Sequence, residues 1–249
     1  MVTLNRPKRL NAISLEMVDE LYSLYDQLHD LPDVRVLVLT GAGRAFCSGA
    51  DLKDERMMSE EGLALFASAA VHLEAIQQKF AGIIPGLRRL PQPVIAAVNG
   101  PAAGGGMCIA LAADIIIAGP DAAFTPSFIN IGLSGGELGT TYFLPRMVGS
   151  ARASEILMTG RTVDAQEADK IGLISRLVKD GQVMPAAMET ARTLLAKTPL
   201  GLRLTKTAIR QNLNTSSLED AIELENRNQS ICCCTPEFFN AVASFVKGK

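Results

Sequence analysis

Apolar residues recur at Leu15, Val18, Leu21, Tyr22, Tyr25 and Leu28, a spacing of three and four that puts them on one face of a helix. Ser14 stands before the first of them as a side-chain cap for the free backbone N–H groups, so the pattern predicts an amphipathic helix over 14–30. A different pattern follows. Val34 to Thr40 is a compact β-branched run closed by Gly41-Ala42-Gly43, which predicts a buried strand with a permissive loop after it. Val94 to Asn99 and Ile115 to Ala118 repeat the theme, and Met1 to Leu4 also reads as a strand. Helical patterns at 61–81 and 105–112 lie between these runs, and strand alternating with helix predicts an α/β core.

After residue 150 the strand signals nearly vanish. Segments near 151–158, 164–170, 182–197, 200–213, 217–230 and 236–246 read as helices separated by Gly, Pro or Thr. Leu194, Leu195, Leu200, Leu202 and Leu204 put apolar groups on more than one helix face, which fits burial against another element or another subunit. The expected organisation is an α/β core over 1–190 and a helical, oligomer-forming region over 191–249.

Composition narrows the function. With 249 residues, 48% hydrophobic and 20% charged, the chain can bury a sizeable core. Its 24 basic and 26 acidic residues, with no basic block, give no electrostatic footprint for nucleic acid or anionic lipid. The apolar stretches 94–98 and 106–118 fall short of the about 18 residues of a membrane span, and Asp114 interrupts the second. A soluble protein acting on small molecules or protein partners is expected. The five cysteines, three of them consecutive at 232–234, lack zinc-ligand spacing and do not form a secreted disulfide framework. That predicts no metal site and a reduced, cytoplasmic setting. A signal peptide is not expected, because the chain opens on a strand, and a further strand before it would complete the sheet edge.

Two glycine-rich loops, each after an apolar strand, carry the candidate chemistry: Arg44-Ala45-Phe46-Cys47-Ser48-Gly49-Ala50-Asp51-Leu52 and Asn99-Gly100-Pro101-Ala102-Ala103-Gly104-Gly105-Gly106-Met107. Glycine lets the backbone turn tightly and lets a ligand approach bare N–H groups, and the second loop leads into a helix start that can hold developing negative charge. For either loop taken singly, a tight strand-to-helix turn is an equal reading. Other ligand classes fit poorly. Gly41-Ala42-Gly43-Arg44-Ala45-Phe46 begins like a dinucleotide fingerprint but has Phe46 where a small residue belongs, and there is no Gly-Lys-Ser/Thr phosphate loop. No G-x-S-x-G elbow exists either, and the two histidines, His29 and His72, fall on predicted helices outside any motif.

The two loops, the approach Pro93-Val94-Ile95-Ala96-Ala97-Val98-Asn99-Gly100, Asp114 and the opening Asn5-Arg6-Pro7-Lys8-Arg9-Leu10-Asn11-Ala12 together resemble the enoyl-CoA hydratase/isomerase (crotonase) superfamily over nearly the whole chain. The resemblance implies an α/β fold, a spiral of ββα units with a helical C-terminal trimerisation region, and a homotrimer or dimer of trimers. It implies an acyl-CoA substrate, coenzyme A being part of the thioester and no separate cofactor being required. The thioester oxygen would become enolate-like between two backbone N–H groups, at the matching positions Ala50 and Gly105. Fixed backbone dipoles suit that charge because they need not reorganise. Coenzyme-contacting positions of the family fall on Arg9, Leu10 and Ala12, on Ser48, Asp51 and Leu52, and on Ala103 and Gly104.

The two glutamates that hydratases of this family use correspond here to Cys108 and Phe128, neither of which can serve as a carboxylate acid or base. One acid remains in Ile131-Gly132-Leu133-Ser134-Gly135-Gly136-Glu137-Leu138-Gly139-Thr140. With one residue inserted after Gly132, Glu137 coincides with the acid of dienoyl-CoA isomerases and a related dehalogenase, and Thr141-Tyr142-Phe143-Leu144-Pro145-Arg146 continues the likeness. The dehalogenase's histidine has no counterpart, this chain having Ile83, Ile84 and Arg88 in that region. The resemblance therefore implies double-bond isomerisation with Glu137 as acid/base. Enoyl-CoA hydration by Glu137 with an unusual water site, and an acyl-CoA binder without turnover, stay open. The region 54–85 is expected to line the acyl pocket.

Overall fold

The computed structural model describes residues 1–54 and 70–247. Its main sheet has five parallel strands in the order β1 (Val2–Leu4), β2 (Leu37–Gly41), β3 (Val94–Val98), β5 (Ile115–Ala118) and β8 (Arg176–Leu177). Leu39 pairs with Val2 on one side and Ala96 on the other, and Ile95 pairs with Ile115. A second sheet joins β4 (Ala102–Ala103), β6 (Ala123–Thr125) and β7 (Val163–Asp164).

Strands β2 and β3 are buried at every position, which explains their unbroken apolar runs. Their residues alternate between two faces. Leu37, Leu39, Val94, Ala96 and Val98 join the larger core with α1 (Leu15–His29) and α2 (Ala70–Arg89). Val38, Ile95, Ala97 and Ile117 face the other way, onto Ala186, Ala187 and Ala191 of α7 (Val183–Leu195). That helix runs through position 190, the expected end of the core.

The predicted helix over 14–30 forms as α1, with Ser14 Oγ accepting from the Met17 amide at 3.2 Å. The helix expected at 61–81 runs on to Arg89 despite Gly82, Pro85 and Gly86, and its part before residue 70 lies outside the described residues. The positions of Gly82 and Gly86 need glycine because the tyrosines of α1 occupy their Cβ space: a Cβ on Gly82 would fall 1.9 Å from the Tyr22 hydroxyl, and one on Gly86 2.7 Å from the Tyr25 ring. The run expected from Val34 starts its ladder at Leu37, because its partner strand begins opposite at Val94.

Between the sheets and the C-terminal helices lie α3 (Gly105–Leu111), α4 (Thr140–Val148), α5 (Ser150–Thr159) and α6 (Ala165–Lys170). Beyond α7 come α8 (Pro199–Asn212), α9 (Leu218–Cys233) and α10 (Pro236–Lys247). The Lys206 ammonium ties α8 to the core, 2.7 Å from Asp114 Oδ2 and donating to the Gln92 carbonyl at 2.8 Å. Along α8, α9 and α10 large apolar groups including Ile209, Ile222, Phe239 and Phe245 are exposed. Among the described residues no helix is long and apolar enough to cross a membrane.

Candidate active site

The glycine loops come together because backbone bonds hold each of them. Asn11, buried and in left-handed backbone at φ 56°, donates from its side-chain amide to the carbonyls of Ala42 at 2.9 Å and Ala45 at 2.8 Å. The Gly49 carbonyl accepts from Ile13 at 2.7 Å, and the Asp51 amide returns a bond to Ile13 at 2.9 Å. The second loop joins the first where the Ala103 amide donates to Cys47 at 2.9 Å. Gly49 and Gly104 have φ of 91° and 50°, a conformation that turns the chain sharply just before Ala50 and Gly105. A Cβ on Gly49 would lie 2.9 Å from the Ala103 oxygen and 3.3 Å from the Gly105 nitrogen, so the loops touch at these positions. Neither the Ala50 nor the Gly105 amide has a backbone acceptor among the described residues; that of Gly105 opens α3, where the first turn leaves its amides unpaired.

Both residues line a cavity of about 580 Å³ together with Glu137. Ser48, Leu52 and Gly104 line it too, as do Ile76, Gln77 and Phe80 of α2, in the expected acyl-pocket region. Arg9, Leu10, Ala12, Asp51 and Ala103 are not in its wall. Ala12 and Asp51 are buried, and Asp51 serves as an internal counter-ion, with Oδ2 2.8 Å from Arg6 and Oδ1 3.1 Å from Arg9. Arg9 also donates to the Lys53 carbonyl at 3.2 Å. Burial opposes ionisation of Asp51, but the Arg6 hydrogen bond, the Lys53 amide and the charges of Arg6 and Arg9 outweigh it and hold the carboxyl below its usual range.

Glu137 is half-buried at the end of its glycine-rich loop. Buried Thr140 fixes its backbone: the hydroxyl accepts from the Glu137 amide at 3.1 Å and lies 2.9 Å from the Glu137 carbonyl, while Leu138 at φ 48° and Gly139 at φ 84° wind the chain into α4. The Gln77 side-chain amide donates to Glu137 Oε1. Cys108 is fully buried under the second loop and donates its thiol to Gly104 at 3.2 Å and to the Glu137 carbonyl at 3.7 Å. Burial, with the Glu137 charge adding to it, pushes that thiol well above its ordinary range. Phe128 lines the cavity, and a Cβ on Gly104 would be 3.6 Å from its ring. Cys108 therefore offers an inert thiol and Phe128 an apolar wall.

Sequence reasoning missed Gln77 and Glu74, both in the cavity wall. The available signal was a polar residue, Gln77, at helical spacing from Phe80 and Ile84 on an otherwise apolar face. Among the described residues no group of three or more metal-ligating side chains is gathered.

A parallel α/β core in which Ala50, Gly105 and Glu137 line one cavity offers a site for a small molecule. The family model for enoyl-CoA hydratase/isomerase matches residues 1–247. A protein of Mycobacterium leprae named "Probable enoyl-CoA hydratase echA12" is 43% identical over 245 residues, 98% of this chain and 82% of its own length. The 1,2-epoxyphenylacetyl-CoA isomerase of Escherichia coli is 36% identical over 245 residues, covering 98% of this chain and 90% of that protein. The crystal structure of an enoyl-CoA hydratase from Bacillus anthracis superposes with a TM-score of 0.90 at 32% identity, over 99% of this chain and 92% of that one. The chain belongs to the enoyl-CoA hydratase/isomerase family, the crotonase superfamily, and is an acyl-CoA-processing enzyme with the crotonase fold.

Proposed function

We propose that this enzyme moves a double bond within the acyl group of a coenzyme A thioester. The observation that carries the reading is that Ala50, Gly105 and Glu137 share one cavity; the family resemblance, which puts Cys108 and Phe128 where hydratases carry glutamates, supports it. In this mechanism the Ala50 and Gly105 amides hold the thioester oxygen as it gains charge. Glu137 takes a proton from one carbon of the acyl chain and returns it to another, so a single carboxylate completes the cycle and no bound water is consumed.

The coenzyme would rest on the loop that opens the chain and the two glycine loops, at Arg9, Leu10, Ala12, Ser48, Asp51, Leu52, Ala103 and Gly104. Cavity contact by Ser48, Leu52 and Gly104 supports that assignment, and the Arg9 side chain is 41% exposed, leaving it free to meet phosphate beside its Asp51 bond. A homotrimer or dimer of trimers would cover the exposed apolar groups of α8 to α10. Light scattering after gel filtration tests that assembly.

Hydration is the second reading, favoured by Glu74, which brings another carboxylate to the same cavity and accepts from Gln78 at 3.1 Å. Glu137→Gln is expected to lower turnover of 2-enoyl- and 3-enoyl-CoA esters about a hundredfold or more, the usual worth of a positioned proton-transfer group. Mass spectrometry with chromatography separates water addition, which changes mass, from isomerisation, which does not. Normal turnover by the variant removes Glu137 from the mechanism. Thioester binding without product or solvent-deuterium exchange would identify a binder.

A further inference from the structure

Gln77, Glu137 and Leu138 line two cavities. The second, of about 610 Å³, is lined by α2, α4 and Arg210 of α8; Ala81, Ile84, Pro85 and Phe143 form an apolar stretch of its wall, with Arg88 and Arg210 also on it. Each cavity falls within the size range of small-ligand sites. The side chains of Gln77 and Glu137 are bonded to one another where the two cavities meet.

The two partners are not equally free. Thr140 and the left-handed turn at Leu138 and Gly139 fix the Glu137 backbone. Gln77 is a long, exposed side chain of α2 whose amide is bonded to Glu137. A group passing from one cavity to the other would therefore part the Gln77 side chain from the Glu137 carboxylate, whose backbone is held.

We infer that Gln77 is a specificity-determining residue: acyl chains that outgrow the first cavity enter the second by displacing Gln77 from Glu137, and shorter chains leave the pair intact. The inference rests on the reading of the first cavity as a thioester site. It assigns the apolar wall of Ala81, Ile84 and Phe143 to the distal end of a long acyl group, and it makes chain length a property of one movable hydrogen bond.

Calorimetry with saturated butanoyl-CoA and dodecanoyl-CoA tests this, because these thioesters bind without needing Glu137 chemistry. Gln77→Ala is expected to tighten dodecanoyl-CoA relative to butanoyl-CoA by about tenfold, and Ala81→Leu, which narrows the second cavity, to move the ratio about tenfold the other way. Normal butanoyl-CoA affinity with a ratio within about twofold of wild type, in either folded variant, overturns the inference by itself. If Gln77→Ala fails to fold, Ala81→Leu decides. If the wild-type protein binds neither thioester, the reading of the first cavity falls and the inference falls with it.

Discussion

The carbonyl oxygen of Cys47 accepts from the Ala103 amide at 2.9 Å, and the Cβ that Gly106 lacks would stand 2.1 Å from that same oxygen. The two loops that line the cavity are thus spaced by a backbone contact that tolerates no side chain. Gly106→Ala should force them apart at a cost of about 1–3 kcal/mol. Tm should fall by roughly 2–4 °C for each kcal/mol, with turnover lost alongside. A thermal melt and a turnover assay on one preparation check both, and an unchanged Tm would contradict the contact.

Asp51 makes stability depend on acid. Its folded-state pKa lies below the unfolded value near 3.8, so its contribution is complete above that value and disappears as pH falls through the folded one. Glu167, also held below its ordinary value by the Arg161 hydrogen bond against the opposing effect of burial, contributes with the same sign, so the comparison must be with a variant. Asp51→Asn should be less stable than wild type at about pH 5, with the gap closing towards about pH 2. Urea midpoints across that range would test this, and a constant gap would exclude the ionised pair as its source.

Lys206 has a side chain only 9% exposed and meets Asp114, itself also 3.3 Å from Arg88. Lys206→Met would leave the Gln92 carbonyl without its ammonium donor and Asp114 with one cation fewer. The expected loss is about 2 kcal/mol, below the full cost of breaking a buried pair because Arg88 stays. Adding Asp114→Asn should recover part of it. A double-mutant cycle in urea measures the coupling, and simple additivity would exclude it.

The five thiols should separate by reactivity. Burial pushes the Cys47 thiol up to about 12 and the Cys108 thiol higher, whereas Cys233 and Cys234 are exposed. Iodoacetamide at neutral pH should modify the exposed pair in the folded protein and spare Cys47 and Cys108 until denaturant is added. Peptide mass spectrometry reads this out, and rapid native labelling of Cys108 would show that the floor of the second loop opens.

Much of the fold was legible because its signals are local. The runs at 94–98 and 115–118 became β3 and β5, and every helix expected after residue 150 formed within a few residues of its predicted limits. The exceptions lack local signals. β4, β7 and β8 have two residues each, too short for any period, and exist through pairing with β6 and β5. The helix α4 follows a loop whose left-handed Leu138 gives no warning in a one-letter code. The helix expected to end at 81 runs on as α2 to Arg89, where Gly82 and Gly86 leave room for the tyrosines of α1, a packing relation between distant segments.

Residue order by itself determined that an α/β core would form and that two glycine loops would follow buried strands. Those properties depend on periodicity and side-chain chemistry, which are present before the chain folds. Only tertiary structure decided that Ala50, Gly105 and Glu137 line one cavity, that Gln77 from a separate helix meets Glu137, and that Asp51 is neutralised by Arg6 and Arg9. Each of those pairings joins positions far apart along the chain, and their approach is set by how the strands, helices and glycine backbones pack, which no local pattern encodes.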